Sequence, residues 1–210
     1  MYEIIFYDTQ DGKCPVQEFL NTLDSKLLAK MLRMIDLLEE NGPVLRKPYS
    51  EPIGDGLFEL RAKQGSNITR VLYFFVVGKK AVLTNGFVKK LKRYQGLKRN
   101  LQGSIRLIMN GGMGMSSYKE YKEKVLQNAE VKEEYDALQP EYDIIQAMIS
   151  ARVNQNLTQK ELSERTGITQ ADISRIENGT RNPSLSMVKR LAEGLGMQLK
   201  LEFIPSPAKR

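Results

Sequence analysis

The feature that most constrains the fold of this chain is a series of short, individually capped helices in its C-terminal half. Thr158 with Glu161 three residues later is a capping box, the signature of a helix start. Gly167 then provides a tight turn, Thr169 caps a second helix and Ser184 caps a third. Apolar residues recur between these signals at helical spacing, so this half is predicted to be helical until a short alternating strand at 198–204.

The stretch Leu157–Ser184 (LTQKELSERTGITQADISRIENGTRNPS) resembles the Cro/repressor (XRE) class of helix-turn-helix domains, as found in HigA-like antitoxins. The resemblance covers the whole motif and implies that the second helix enters the major groove of operator DNA as part of a homodimer. Asp172 fits beside DNA only as an acceptor for a cytosine amine. The base-side candidates are Thr169, Gln170, Ala171, Asp172, Ser174 and Arg175. The candidates near phosphates are Gln159, Lys160, Asn178, Thr180 and Arg181.

The first half has the pattern of an α+β domain. A strand at Tyr2–Tyr7 precedes a helix that starts at Pro15 and a second that starts at Asp24 or Ser25 and stops at Asn41. Residues 43–56, rich in Pro and Gly, are predicted to be a loop. An antiparallel meander then follows, with strands at Leu57–Lys63, Ile68–Val77 and Ala81–Phe87.

Charge is distributed unevenly between the two halves. The net charge is +7, and residues 1–115 carry 18 Lys/Arg against 11 Asp/Glu, whereas residues 116–210 carry 14 of each. No acidic residue lies between Glu59 and Glu120, whereas 12 Lys/Arg lie from Arg61 to Arg106. A one-sign stretch of this length indicates a polyanionic partner, although a solvated basic surface would look the same.

The stretch Gly56–Lys90 resembles the phage-derived, Gp49-like branch of the HigB/RelE toxins in its ELR, RVLYFF and GFVKK blocks, and the resemblance covers residues 1 to about 90. It implies a ribosome-associated endoribonuclease that cuts mRNA without a metal or cofactor. Such an enzyme needs cations to stabilise the phosphorane. The resemblance implies catalytic roles for Arg61, Arg70, Lys89 and Lys90. Secondary RNA-binding candidates are Lys63, Tyr73, Asn85 and Phe87, although aromatic residues in strands are more often core.

The sequence predicts the domain order 1–102 toxin domain, 103–117 linker or fusion joint, 118–140 acidic helix, 141–204 helix-turn-helix domain and 205–210 tail. The acidic helix is interpreted either as a cover for the basic first domain, by charge complementarity, or as a solvated helix. The joint departs from the toxin pattern. DNA codons compatible with residues 91–117, if they are read one base out of frame, can encode a sequence that restores the toxin pattern. The origin of the joint therefore stays open between a frameshift, a natural fusion and engineering.

Composition excludes several classes of function. There is no histidine and a single cysteine, Cys14, which excludes histidine-based triads, histidine metal sites and structural zinc. No apolar run is long enough to span a membrane, and a reducing cytoplasm is expected. Two functions remain: a toxin–antitoxin module in one chain, with the enzyme inhibited or impaired by fusion, or a transcriptional regulator with a non-catalytic sensing domain.

Overall fold

The computed structural model describes residues 1–45, 47, 49–64, 67–88, 114–177 and 181–203. The chain divides into two compact units, Met1–Tyr142 and Asp143–Arg210. In the described part of the chain, no helix has the length and apolar character needed to cross a membrane.

The first unit contains a six-stranded mixed sheet. Its strands are β1 (Glu3–Tyr7), β2 (Ser50–Gly54), β3 (Leu57–Gln64), β4 (Asn67–Val76), β5 (Lys80–Val88) and β6 (Met115–Ser117). They lie in the order β2-β3-β4-β5-β1-β6. The meander β3-β4-β5 is antiparallel as predicted, whereas β1 pairs parallel to β5. The α+β class is therefore confirmed, but the sheet is not wholly antiparallel.

Helices cover one face of this sheet. They are α1 (Pro15–Leu20), α2 (Ser25–Asn41), α3 (Tyr118–Val125) and α4 (Ala129–Ala137). Phe6 of β1 points into this helix-covered face, where its ring packs against the rings of Tyr118 and Tyr121. Gly86 allows α1 to approach β5, because a Cβ there would lie 1.7 Å from the ring of Phe19.

The opposite face of the sheet has a buried apolar cluster of its own. Cross-strand register places its members on strands β1, β3, β4 and β5. Burial of these side chains stabilises the sheet by about 1.5–3 kcal/mol for each fully buried large side chain. The cluster comprises Ile5, Tyr7, Leu57, Leu72, Phe74, Val82 and Phe87.

Four expectations from the sequence differ from the structure. Strand β2 lies within the predicted loop, and β6 lies within the predicted linker 103–117. The single acidic helix is two helices, because the Asn128 side chain accepts hydrogen bonds from the backbone of Glu130 and Val131 and starts α4. Residues 198–203, predicted as a strand, have no regular structure.

The second unit is helical. Helix α5 (Gln139–Asn154) begins before the unit boundary, and α6 (Gln159–Thr166), α7 (Gln170–Glu177) and α8 (Leu185–Gly194) follow. Pro140 lies in the first turn of α5, where its missing N–H does not interrupt the helix. The predicted caps at Thr158, Thr169 and Ser184 are all present. The core includes Met148, Leu162, Ile173, Ile176 and Leu191.

Candidate nucleic-acid interfaces

Two predicted catalytic arginines are neighbours on the sheet. Arg61 of β3 lies directly opposite Arg70 of β4, which in turn lies opposite Phe87 of β5. Directly opposed residues share a face, so both guanidinium groups belong to the face opposite the helices. This row is the only place among the described sheet pairings where two arginines face each other.

Both arginines are held by carboxylates that the sequence interpretation missed. Arg70 donates from Nε to Glu59 at 3.0 Å, and Arg61 pairs with both Glu59 and Glu51. Glu59 and Arg70 are buried, whereas the Arg61 side chain is 27% exposed. The available signal was the alternation of β3, which places Glu59 and Arg61 on one face. This group of four is the arginine–glutamate cluster.

One arm of the arginine–glutamate cluster lacks a partner within the described residues. The Nη1 of Arg70 is buried without a hydrogen bond there. Lys47 binds the other end of the cluster through Glu51 at 2.6 Å. Hydrogen bonding from Lys47 and the charge of Arg61 lower the pKa of Glu51 against the opposing effect of burial, so its carboxylate stays ionised. The cluster is thus an ordered set of donors with a net charge near zero.

The other catalytic and RNA-binding candidates of the first half differ in their burial and in the face of the sheet on which they lie. Lys63 is exposed on the same face of β3, and Asn85 is half-buried opposite Leu72. Phe87 is buried in the apolar cluster. Tyr73 lies on the helix-covered face, fully buried, with its hydroxyl 2.5 Å from that of Ser50. Stacking on a base is therefore not open to Tyr73. Lys89 and Lys90 lie outside the described residues.

The segment 114–142 packs onto the rest of the first unit through tyrosines around one buried carboxylate. Asp36 of α2 accepts hydrogen bonds from the hydroxyls of Tyr118 and Tyr135 and pairs with Lys122 at 2.8 Å. Burial and the Asp36 charge raise the pKa of both tyrosines, so both hydroxyls stay protonated as donors. Arg33 donates to the Tyr135 carbonyl at 2.7 Å and stacks on its ring.

This contact differs from the charge clamp that the sequence suggested. The acidic side chains Glu130, Glu133 and Asp136 are exposed, and the carboxylates that pair with Arg61 and Arg70 in the described residues belong to Glu51 and Glu59. Strand β6 pairs with β1, three strands away from β4, and α3 packs on the helix-covered face. The segment therefore leaves the arginine–glutamate cluster uncovered.

In the second unit, α6 and α7 form two helices with a tight turn between them. Gly167 adopts a φ of 64°, which favours glycine, and its N–H closes α6 on the Ser163 carbonyl. Ile173 and Ile176 bury one side of α7 against the core. Glu177 at the end of α7 is buried and pairs with Arg152 at 2.8 Å, which fixes α7 to α5.

The outer side of α7 carries the predicted base-side residues. Thr169, Gln170, Ala171 and Arg175 are exposed, and Asp172 and Ser174 are half-buried. Ala171 is thus directed outward. Asp172 pairs with Arg175 at 3.4 Å and with Arg181. A hydrogen bond with Thr169, with Arg181 as a further cause, lowers the Asp172 pKa. Asp172 therefore ties two predicted DNA-contacting arginines together.

Of the residues predicted to lie near DNA phosphates, some are exposed and one is engaged by a contact within the chain. Gln159 uses its amide nitrogen to donate to Glu177 at 2.7 Å, while Lys160 is exposed. Arg181 is exposed as well, and Asn178 and Thr180 lie outside the described residues. Among the described residues, no group of three or more His, Cys, Asp or Glu side chains is placed to hold a metal ion.

Comparison with known proteins matches each half of the chain separately. Residues 18–100 match the family described as phage derived protein Gp49-like, and residues 148–201 match the helix-turn-helix family. Similar proteins include the uncharacterized HTH-type transcriptional regulator y4dL of Sinorhizobium fredii, 41% identical over 28% of this chain. Uncharacterized HTH-type transcriptional regulators of Haemophilus influenzae and Methanothermobacter thermautotrophicus are 28% and 45% identical over 41% and 20% of it.

The chain spans 30%, 84% and 61% of the length of these three relatives, respectively. The Gp49-like match includes β2, β3 and β4, which carry the arginine–glutamate cluster. The second match includes α6 and α7, whose geometry is that of a helix-turn-helix and implies DNA binding. The chain therefore carries a phage-derived Gp49-like domain, RelE/HigB-like in kind, followed by an XRE-type helix-turn-helix domain.

Proposed function

We infer that this chain is a type II toxin–antitoxin module in one polypeptide. The N-terminal domain cleaves mRNA on the ribosome, and the C-terminal domain binds operator DNA as a homodimer and represses its own operon. The observation that carries the proposal is the opposed pair Arg61 and Arg70, sharing Glu59 on one sheet face of a Gp49-like domain. The adjoining helix-turn-helix domain supplies the regulatory half.

The arginine–glutamate cluster suits cleavage by the RNA's own 2′-hydroxyl. The 2′-oxygen bonds to phosphorus, the 5′-oxygen leaves, and the products are a 2′,3′-cyclic phosphate and a 5′-hydroxyl. Two guanidinium groups stabilise the extra negative charge of the phosphorane. Glu59 acts as a positioning residue, because it binds both guanidinium groups and holds them on one face. With no histidine in the chain, proton transfer falls to lysine, tyrosine or water.

Inhibition within the chain then acts at a distance from the arginine–glutamate cluster. Residues 114–142 occupy the β1 edge and the helix side, so they restrain the toxin by blocking its approach to the ribosome. Because the inhibitor and the toxin belong to one chain, the effective concentration of the inhibitor does not depend on the concentration of the protein. The intact chain is therefore expected to be weakly toxic or inert.

The test compares induction of the full chain with induction of residues 1–115, each with and without Arg70→Ala. Growth is recorded, and mRNA cleavage on ribosomes is mapped by primer extension. We expect the fragment to arrest growth and cut mRNA, and Arg70→Ala to lower cleavage about a hundredfold. A soluble fragment that cuts no mRNA, or one whose cutting survives Arg70→Ala, would contradict the enzymatic half.

The alternative is a helix-turn-helix transcriptional regulator with a non-catalytic sensing domain. Two observations favour it: the arginines are neutralised within the chain, and a cleft of about 340 Å³ lies in the first unit between α1, α2, α3 and α4. Gln17, Asn21 and Asn128 give this cleft polar groups that could orient a small ligand. A full chain whose operator binding changes with a small molecule, and whose fragment cuts no RNA, would support this alternative.

A further inference from the structure

The segment after α8 has a strand pattern but no strand partner in the second unit as described. Apolar residues alternate with polar ones from Met197 to Phe203, and 198–203 has no regular structure. The apolar side chains are exposed: 37% for Leu199, 64% for Leu201 and 102% for Phe203. Period-two alternation with three exposed large apolar side chains is typical of a strand whose partner is supplied by another chain.

We propose that residues 199–203 pair antiparallel with the same residues of a second copy, with Leu201 on the two-fold axis. The partner is this chain itself, and the contact is isologous, since each strand offers the same surface to the other. The proposal names the surface behind the proposed homodimer, and it can be tested without DNA or RNA.

Charge complementarity selects this register. With Leu201 on the axis, Lys200 of each copy lies opposite Glu202 of the other, and Leu199 lies opposite Phe203. Within one chain these two charges already lie 3.0 Å apart on one side of the segment, so pairing builds an alternating group of four. Opposite charges across a ladder stabilise it, and an apolar pair adds to this.

The neighbouring register is unfavourable. With Lys200 on the axis, the two Lys200 side chains would face each other, and Gln198 would face Glu202. Like charges directly opposed destabilise an antiparallel pair. A shift by one residue in one strand alone would also place apolar side chains among polar ones. The register with Leu201 on the axis thus opposes unlike charges and pairs apolar side chains, which favours it for a closed dimer.

The first test is charge reversal in the full chain, with the dimer dissociation constant measured by sedimentation equilibrium. Lys200→Glu alone, or Glu202→Lys alone, sets like charges opposite each other at two places and should weaken the dimer about tenfold or more. The double variant Lys200→Glu/Glu202→Lys restores opposite charges and should return the constant to within about threefold of the original. Lys189→Glu, an exposed lysine on α8, is the control and should have little effect.

The second test fixes the register by disulfide formation in a Cys14→Ser background. Leu201→Cys lies opposite its own copy and should form a covalent dimer on mild oxidation. Leu199→Cys, on the same face, would be about 13 Å from its own copy, since four residues separate them along a strand, and should not.

Three results would overturn the proposal. One is a full chain that stays monomeric at high micromolar concentration. Another is a dimer whose strength does not change with Lys200→Glu, which would place the contact elsewhere. The last is equal disulfide formation by Leu199→Cys and Leu201→Cys, which would exclude the register. If none of these three results is obtained, but the chain neither cuts RNA nor binds an operator, this inference holds and the proposed function is wrong.

Discussion

Glu59 is the acceptor that Arg61 and Arg70 share, and its side chain is only 3% exposed. Replacing it by Glu59→Gln preserves the shape but leaves the buried Arg70 without a carboxylate partner in the described part of the chain. We expect the free energy of unfolding of the first unit to fall by about 3 kcal/mol, because an uncompensated buried charge is costly. Urea denaturation of the full chain, followed by circular dichroism, measures this.

Glu51→Gln is the matched control for this change, since Glu51 also binds Arg61 but its side chain is 25% exposed. Solvent screens its charge, so we expect a loss of no more than about 1 kcal/mol. Equal losses of unfolding free energy in the two variants would show that the buried pairing of Glu59 with Arg70 contributes no more to stability than the pairing of Glu51 with Arg61.

Asp172 gives a residue-scale prediction for the proposed operator binding. It pairs with Arg175 and Arg181, which are predicted to contact DNA. In Asp172→Asn both arginines are released, so we expect tighter binding to random duplex DNA and weaker discrimination in favour of the operator. The salt dependence should steepen, because freed cations contact more phosphates. Fluorescence anisotropy at several salt concentrations, with random duplex and the DNA upstream of the gene, measures both.

The control for Asp172→Asn is Glu164→Gln, which removes an exposed acid from α6. If discrimination falls equally in both variants, the effect is one of net charge and the positioning role of Asp172 is wrong.

Alternation along a strand predicted some side chains well and others poorly. It placed Arg61 and Lys63 on one face of β3, as in the structure. It could not place Tyr73, because β4 is apolar on both faces from Val71 onward and shows no alternation there. A register shift between β4 and β5 beside Tyr73 complicates that region further. The pairing of Glu59 with Arg70 depends on two strands, so neither strand alone could indicate it.

At the scale of elements, the two strands that the sequence missed are short edge strands. Strand β2 contains Pro52 and ends at Gly54, residues that weaken a strand signal but are tolerated at a sheet edge. Strand β6 has three residues and exists through its pairing with β1, more than a hundred residues away. Local propensity predicts helices with their caps, but it carries no information on a partner so distant in sequence.

The docking of α3 and α4 on α2 should depend on Asp36. Asp36→Ala leaves Tyr118, Tyr135 and Lys122 without their common acceptor in a buried place. We expect the free energy of unfolding of the first unit to fall by about 3 kcal/mol. Thermal and urea unfolding of the full chain measure this. Lys26→Ala, an exposed change on the same helix, should have little effect, and a loss as large as that of Asp36→Ala would contradict the role of Asp36.

At the scale of the whole molecule, the boundary between compact units does not follow the predicted boundary between toxin and antitoxin. Residues 114–142 fall with the first unit, although the sequence groups them with the second half of the chain. The reason is physical: Arg33 and Asp36 bind side chains and carbonyls about a hundred residues away, and the exposed acids that dominate the composition make none of these bonds.

This division predicts how the chain behaves when it is cut. A protease site inserted within 103–113 would separate 1–102 from the remainder, yet the β1–β6 pairing and the contacts of Asp36 and Arg33 would still join the two pieces. We expect the pieces to co-elute on size exclusion at about 1 µM, since buried tyrosine and arginine contacts of this kind are typical of strong interfaces. A cut chain carrying Arg33→Ala and Asp36→Ala should separate at the same concentration. Separation of the unmodified pieces would mean that covalent linkage, and not the docked segment, holds the first unit together.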